Sequence, residues 1–246
     1  MAAFPALSIA ANDNKKMIEY FSSTTRQILF LIVPATVLFL ALRAQLIRVV
    51  LGAGAFSWRD TTLTIDTLGF LSLSLFAQAI SPLQTRVFFA KKDSITPLVI
   101  GAITLVVDVV LCLWFSKTMG VAGLALAFSI SNILNFVLLW IFLIVKLGGL
   151  DQVRILISAL KFSVAAVVCG FAVQGVKSIV LPIIDMTTFT GVLIQGTLAT
   201  VAGLTVYILL CWLFKSEELF DFARAISRRL PWRKAKLGDQ GEVRGI

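Results

Sequence analysis

An all-α membrane bundle of six transmembrane helices, followed by a short amphipathic C-terminal helix, is the fold class this sequence predicts, and three observations predict it. Of the 246 residues, 59% are hydrophobic and 14% charged, with a mean hydropathy of +0.96. Soluble domains average roughly 45–50% apolar and about 25% charged residues. The apolar residues gather into six runs, each close to the roughly 20 residues that a helix needs to cross the hydrocarbon core. Lys and Arg are concentrated between those runs, where they act as a topology signal.

The first run is Ile28 to Val50, with Pro34 inside it and Arg43 and Arg48 toward its far end. A proline is tolerated there when neighbouring helices satisfy the freed carbonyl, and the arginines can snorkel to the headgroups. Leu63 to Ser81 is the second run, Pro97 to Phe115 the third and Val121 to Val145 the fourth. Ile155 to Leu181 and Phe189 to Phe214 complete the set. All are expected to be helical, because an open strand edge cannot be left unsatisfied in lipid.

The polypeptide is thereby divided into residues 1–12, expected to be the tail of a preceding span, four spans in 13–145, two more in 146–215 and a basic cytoplasmic tail in 216–246. In the tail, Ser216 is positioned to cap a helix that has Glu217 and Glu218 in its first turn and Arg228 and Arg229 at its end. Leu219, Phe220, Phe222 and Ile226 give that helix an apolar side suited to the headgroup level, although a solvated tail fits the same pattern.

Orientation follows from the basic residues. Lys15, Lys16, Arg26, Arg86, Lys91, Lys92, Lys146, Arg154, Lys161 and the eight cations from Lys215 onward fall on one side. Arg43, Arg48, Arg59, Lys117 and Lys177 fall on the other, so both termini are expected in the cytoplasm. A net charge of +9 in this arrangement points to anionic membrane lipids as partners and not to nucleic acid.

Enzymatic chemistry finds little support. There is no histidine, and Cys112, Cys169 and Cys211 lie inside apolar runs without metal-site or disulfide spacing. Neither a phosphate-binding glycine loop nor a zinc-binding helix motif is present, so no catalytic residue, metal or cofactor is expected.

Polar groups inside the runs are more informative, since an ionisable residue near the bilayer centre costs about 2.5–3.5 kcal/mol on insertion scales. Asp108 lies near the middle of the third span, with Gly101, Thr104 and Cys112 on its helix face. Ser129, Asn132 and Asn135 follow at three-residue steps on the fourth, which a short turn makes an antiparallel neighbour. The two stripes form either a cavity-facing patch in which Asp108 binds a cation or proton, or a set of interhelical hydrogen bonds worth about 0.6 kcal/mol each. Gln78, with Ser74 one turn before it, is a further candidate cavity-lining group. Gly170, Gly175, Gly191, Gly196 and Gly203 offer small surfaces on the last two spans, for close backbone approach or for an acyl-chain groove.

The segment RVFFAKKDSITP, Arg86 to Pro97, resembles a cytoplasmic loop of the MurJ (MviN) lipid II flippase family, with Arg86, Asp93, Thr96 and Pro97 as the motif residues. FPALS at Phe4 to Ser8, VPATV at Val33 to Val37, GAGAF at Gly52 to Phe56 and GVAGLALAFS at Gly120 to Ser129 are similar to other family segments, in the same order. The resemblance implies membership of the multidrug/oligosaccharidyl-lipid/polysaccharide exporter superfamily, in which two lobes alternate access to a central cavity. It implies a lipid-linked peptidoglycan precursor as cargo, with the polyprenyl tail in a groove formed by the last two helices. Against the family's fourteen spans, this chain is expected to supply the ninth to fourteenth and to lack the N-terminal lobe with its phosphate-binding arginines. On that comparison it would not flip lipid alone. The alternatives are a non-transporting scaffold of envelope synthesis, or a related polysaccharide-lipid flippase.

Overall fold

The computed structural model describes residues 13–51, 58–182 and 188–229. The expected end of an earlier span in residues 1–12, the FPALS and GAGAF segments and the tail beyond 229 lie outside the described residues. Within them the backbone is helical throughout: α1 (Asn14–Leu51), α2 (Trp58–Leu73), α3 (Leu75–Ala90), α4 (Ile95–Met119), α5 (Val121–Leu147), α6 (Gln152–Val180), α7 (Phe189–Leu213) and α8 (Glu217–Arg229). Five of these are long and apolar enough to cross a membrane singly, and α2 with α3, bent by 41°, meets the same length and composition only as a pair.

Helix α1 starts fourteen residues before its apolar run. Asp13 caps it, its carboxylate accepting from the backbone N–H groups of Lys15 and Lys16 at 3.0 and 3.3 Å. The early turns are helical because Met17, Phe21, Thr25 and Leu29, one turn apart, all face the core. At 38 residues α1 is about 57 Å long, well beyond a hydrocarbon core of roughly 30 Å. It is also the central post, packed against α2, α3, α6 and α7. Phe30 on α1 sits among Phe162, Tyr207 and Phe222, with ring centroids 5.7, 5.8 and 5.9 Å away.

Pro34 interrupts α1 from within. Lacking an N–H, it leaves the carbonyl of Phe30 without its helical donor. The hydroxyl of Tyr207 on α7 donates to that carbonyl at 2.8 Å, in a buried setting. The donor missing from one helix is therefore replaced by a side chain from another.

The second span breaks at Ser74, where α2 and α3 meet at 41°. The repair is similar: Ser129 of α5 donates to the carbonyl of Phe70 at 2.7 Å, and Ser74 lies 3.2 Å from the Ser129 hydroxyl. Gln78 in turn donates to Ser74 at 2.8 Å. Both hydroxyls are buried.

The turn between α4 and α5 is a single residue, Gly120, at φ +60°. A Cβ at the following Gly123 would collide with the carbonyl of Phe115, so the hairpin closes only around glycine. Gly148, in the left-handed conformation, ends α5. Helix α4 packs chiefly on α5 and leaves Leu98, Leu105, Val106, Leu113 and Trp114 more than 60% exposed. Such a surface belongs in contact with lipid or another apolar partner.

A polar cleft as candidate functional site

Two helices build the cleft. Gly101, Thr104 and Asp108 of α4 face Ser131, Asn132 and Asn135 of α5 around an open space of about 260 Å³. Gly101 faces open space, Thr104 is buried, and Asp108 follows one turn further along. The Asp108 Oδ1 and Ser131 Oγ atoms are both buried without a hydrogen-bond partner among the described residues. Asn132 donates to the carbonyl of Phe128 at 2.8 Å, which leaves its amide oxygen directed elsewhere. A carboxylate oxygen, amide oxygens and hydroxyls within one cleft form an oxygen-rich set of the sort that hard cations favour. Among the described residues no cluster of three His, Cys, Asp or Glu side chains could hold a metal ion.

Ser129 is not part of this cleft, since it turns toward the Ser74 break. Three-residue steps drift by about 60° each around a helix of 3.6 residues per turn, so Ser129 stands roughly 120° from Asn135. Ser131, four residues before Asn135, lies on the shared face and takes its place. The four-residue step was the available signal. Gln78 is engaged with Ser74 and does not line the cleft.

The loop between α3 and α4 is organised around Asp93. Its carboxylate accepts from the Thr96 N–H and hydroxyl at 3.0 and 2.8 Å, starting α4, and pairs with the Lys146 ammonium at the end of α5. The Lys146 hydrogen bond, then those from Thr96, hold this carboxyl well below its usual range. Lys92 takes a positive φ of 57° to turn the chain into this arrangement. Pro97 sits in the first turn of α4, and Arg86 projects exposed from α3. Lys91 donates to Asn14 at 2.6 Å, drawing the loop onto α1.

At the same end of the bundle, α8 is attached through Glu218. Its carboxylate accepts from Arg26 of α1 at 2.9 Å, Ser158 of α6 at 3.1 Å and Ser216 at 2.8 Å. Burial pushes the Glu218 carboxyl up, but its own backbone N–H, Ser216, Ser158 and Arg26 together hold it below the ordinary value. Ser22 of α1 donates to Asp151 in the link between α5 and α6 at 3.2 Å.

The five glycines of the last two spans occupy different settings. A Cβ on Gly203 would come within 2.5 Å of Val173 Cγ2 and 3.1 Å of Cys169 Sγ, both on α6. One on Gly170 would reach Val37 of α1 at 3.0 Å, whereas Gly175 faces open space. The N–H of Gly191 donates to the capping hydroxyl of Thr188 at 3.1 Å. Gly196 lines an apolar crevice of about 250 Å³ between α1 and α7, beside a Gln45 amide that donates to Gln195 at 3.1 Å.

What fold and cleft together define is a multi-pass α-helical membrane protein that carries an ionisable group inside its bundle. The family model described as lipid II flippase MurJ matches residues 1–194, and the chain belongs to that family of transporters, not of enzymes. It is 30% identical over 227 residues to the probable lipid II flippase MurJ of Thermotoga maritima, a match that covers 90% of this chain and 42% of the relative. A probable lipid II flippase MurJ of Rhizobium tropici is 31% identical over 132 residues, 54% of this chain and 24% of that one. A solved structure titled lipid II flippase MurJ, inward closed conformation, shares the fold with a TM-score of 0.67 at 23% identity. That match covers 87% of this chain and 42% of the solved one, so the chain spans about two-fifths of the length of these proteins.

Proposed function

We propose that this chain forms part of a lipid II flippase that moves undecaprenyl-linked peptidoglycan precursor across the bacterial cytoplasmic membrane by alternating access. The observation that carries the reading is the family match over residues 1–194. In this reading residues 13–145 are part of the second lobe, residues 146–215 supply the groove for the lipid tail, and the cargo's phosphates are held by an N-terminal lobe outside this chain. The crevice beside Gly196 and the open side of Gly175 support a place for an acyl chain. Asp108, with a buried oxygen that lacks a partner, is the group through which a cation or proton would bias the two states of the lobe. Both termini are cytoplasmic, as the distribution of Lys and Arg supports.

The test is complementation of a flippase-depleted strain by this chain, with and without the N-terminal lobe of a relative. Growth is expected only with both parts, and growth with this chain alone would overturn the assignment of the phosphate site to the other lobe. In the joined protein, Asp108→Asn is expected to abolish the dependence of precursor transfer on pH or cation. Unchanged transfer across those conditions would remove Asp108 from the coupling.

A further inference from the structure

Helices α5 and α6 are joined by a short link but barely touch, since α5 packs on α2, α3 and α4, and α6 on α1 and α7. Between them opens a crevice of about 380 Å³, whose back wall is α1 and α3. This volume lies within the range of small-ligand pockets, and the lining is almost wholly apolar. It is distinct from the cleft at Asp108 and from the crevice at Gly196.

Three features say what the crevice holds. First, its rim is membrane surface: Leu156 is 60% exposed, and Val153, Leu160, Ile141 and Val145 around it are exposed too. Second, Thr25 lines the crevice, is completely buried, and its hydroxyl finds no hydrogen-bond partner among the described residues. A hydroxyl left this way in an apolar wall is destabilising unless an occupant accepts from it.

Third, the crevice is polar at one end only. The Ser22–Asp151 hydrogen bond sets the levels of α1 and α6, which places Thr25 and Gln152 toward the α8 end of the bundle. Ala159, seven residues after Gln152, lies about two turns deeper, and the lining beyond Thr25 and Gln152 is formed by hydrophobic and aromatic side chains. An occupant must therefore be long and apolar with one hydrogen-bond acceptor near its headward end, and must enter sideways from one leaflet.

We infer that this crevice binds a diacyl glycerophospholipid of that leaflet, with one acyl chain between α5 and α6 and the Thr25 hydroxyl donating to its ester carbonyl. The lipid acts as a wedge that keeps the two helices apart. This inference rests on the crevice alone and stands or falls independently of transport.

The experiment places the purified chain in phosphatidylcholine nanodiscs doped with a phosphatidylethanolamine that carries a diazirine on one acyl chain. After photolysis, adducts are mapped by peptide mass spectrometry. Labelling of α5 and α6 at Phe136, Trp140 and Ala159 is expected several-fold above labelling of the exposed face of α4, and reduced by excess unlabelled lipid. Ala159→Trp should remove the crevice adducts and leave those on α4. The near-isosteric Thr25→Val should weaken them by roughly two- to tenfold, the loss of one net hydrogen bond, while Thr25→Ser retains them. Crevice labelling no stronger than that of α4, or unaffected by both Ala159→Trp and Thr25→Val, overturns the site. Loss of the labelling when the relatives' remaining helices are coexpressed would assign the crevice to a protein segment and overturn it as well.

Discussion

The carbonyl of Phe30 offers a direct measure of how one helix depends on another. Pro34 removes its helical donor, and Tyr207, 2% exposed, supplies the replacement at 2.8 Å. Tyr207→Phe keeps the ring and deletes only the hydroxyl, leaving a buried carbonyl bare. An unsatisfied buried group costs about 1–3 kcal/mol, whereas interhelical hydrogen bonds in membranes average about 0.6 kcal/mol. Because no N–H competes for this carbonyl, the expected loss is about 1–2 kcal/mol.

The decisive comparison adds Pro34→Ala, which returns an N–H four residues after Phe30. In that background Tyr207→Phe should cost less than about 0.5 kcal/mol, so the double-mutant cycle yields about 1 kcal/mol of coupling. Reversible unfolding of the four proteins in mixed micelles, titrated with a denaturing detergent, measures it. Equal costs of Tyr207→Phe in both backgrounds would refute the claim that the hydroxyl stands in for the missing N–H.

Gly203→Ala should destabilise the bundle by about 1–3 kcal/mol, because the new methyl meets the stiff, fully buried Val173, while Gly175→Ala, with open space before it, should be neutral or stabilising by up to about 1 kcal/mol. The same micelle titration checks the pair, and equal effects would mean the contact is not close. Glu218→Gln weakens a charge-assisted bond to Arg26 and is expected to cost about 2 kcal/mol and to speed tryptic cleavage at Lys215 and Arg224; an unchanged cleavage rate counts against the attachment of α8. The carboxyl of Asp93 is held below its ordinary value of 3.8, so its contribution to stability is complete above about pH 4 and is lost as pH falls toward the lower folded value. A stability profile run downward from pH 7 should therefore stay flat until about pH 5, fall first as Glu218 loses its contribution and then as Asp93 does, with Asp93→Asn removing part of the acid limb.

Where each helix crosses the membrane was legible in the sequence because burial in lipid demands long apolar runs, and the runs are visible residue by residue. The early start of α1 was less visible: Met17, Phe21 and Thr25 carry the core-facing spacing, but among Lys15, Lys16, Glu19 and Arg26 they do not form an apolar run. The break at Ser74 carried no signal, since LSLSLFAQ contains neither proline nor glycine, and the bend depends on Ser129 supplying a donor from a distant helix. Asp108, Asn132 and Asn135 were identifiable from their chemistry. Thr25 was not, because what distinguishes it is the lack of a partner, a property of four helices packed together.

The length of α1 has a consequence for how the bundle tolerates change. Asn14, Ser22 and Arg26 receive or make the ties to the α3–α4 link, the α5–α6 link and α8, while Pro34 and its neighbours further along set the fit within the bilayer. The two sets of contacts are in rotational phase along one continuous helix. Inserting a single residue between Arg26 and Phe30 would turn one set by about 100° relative to the other, so that either the ties or the buried seam could be correct, but not both.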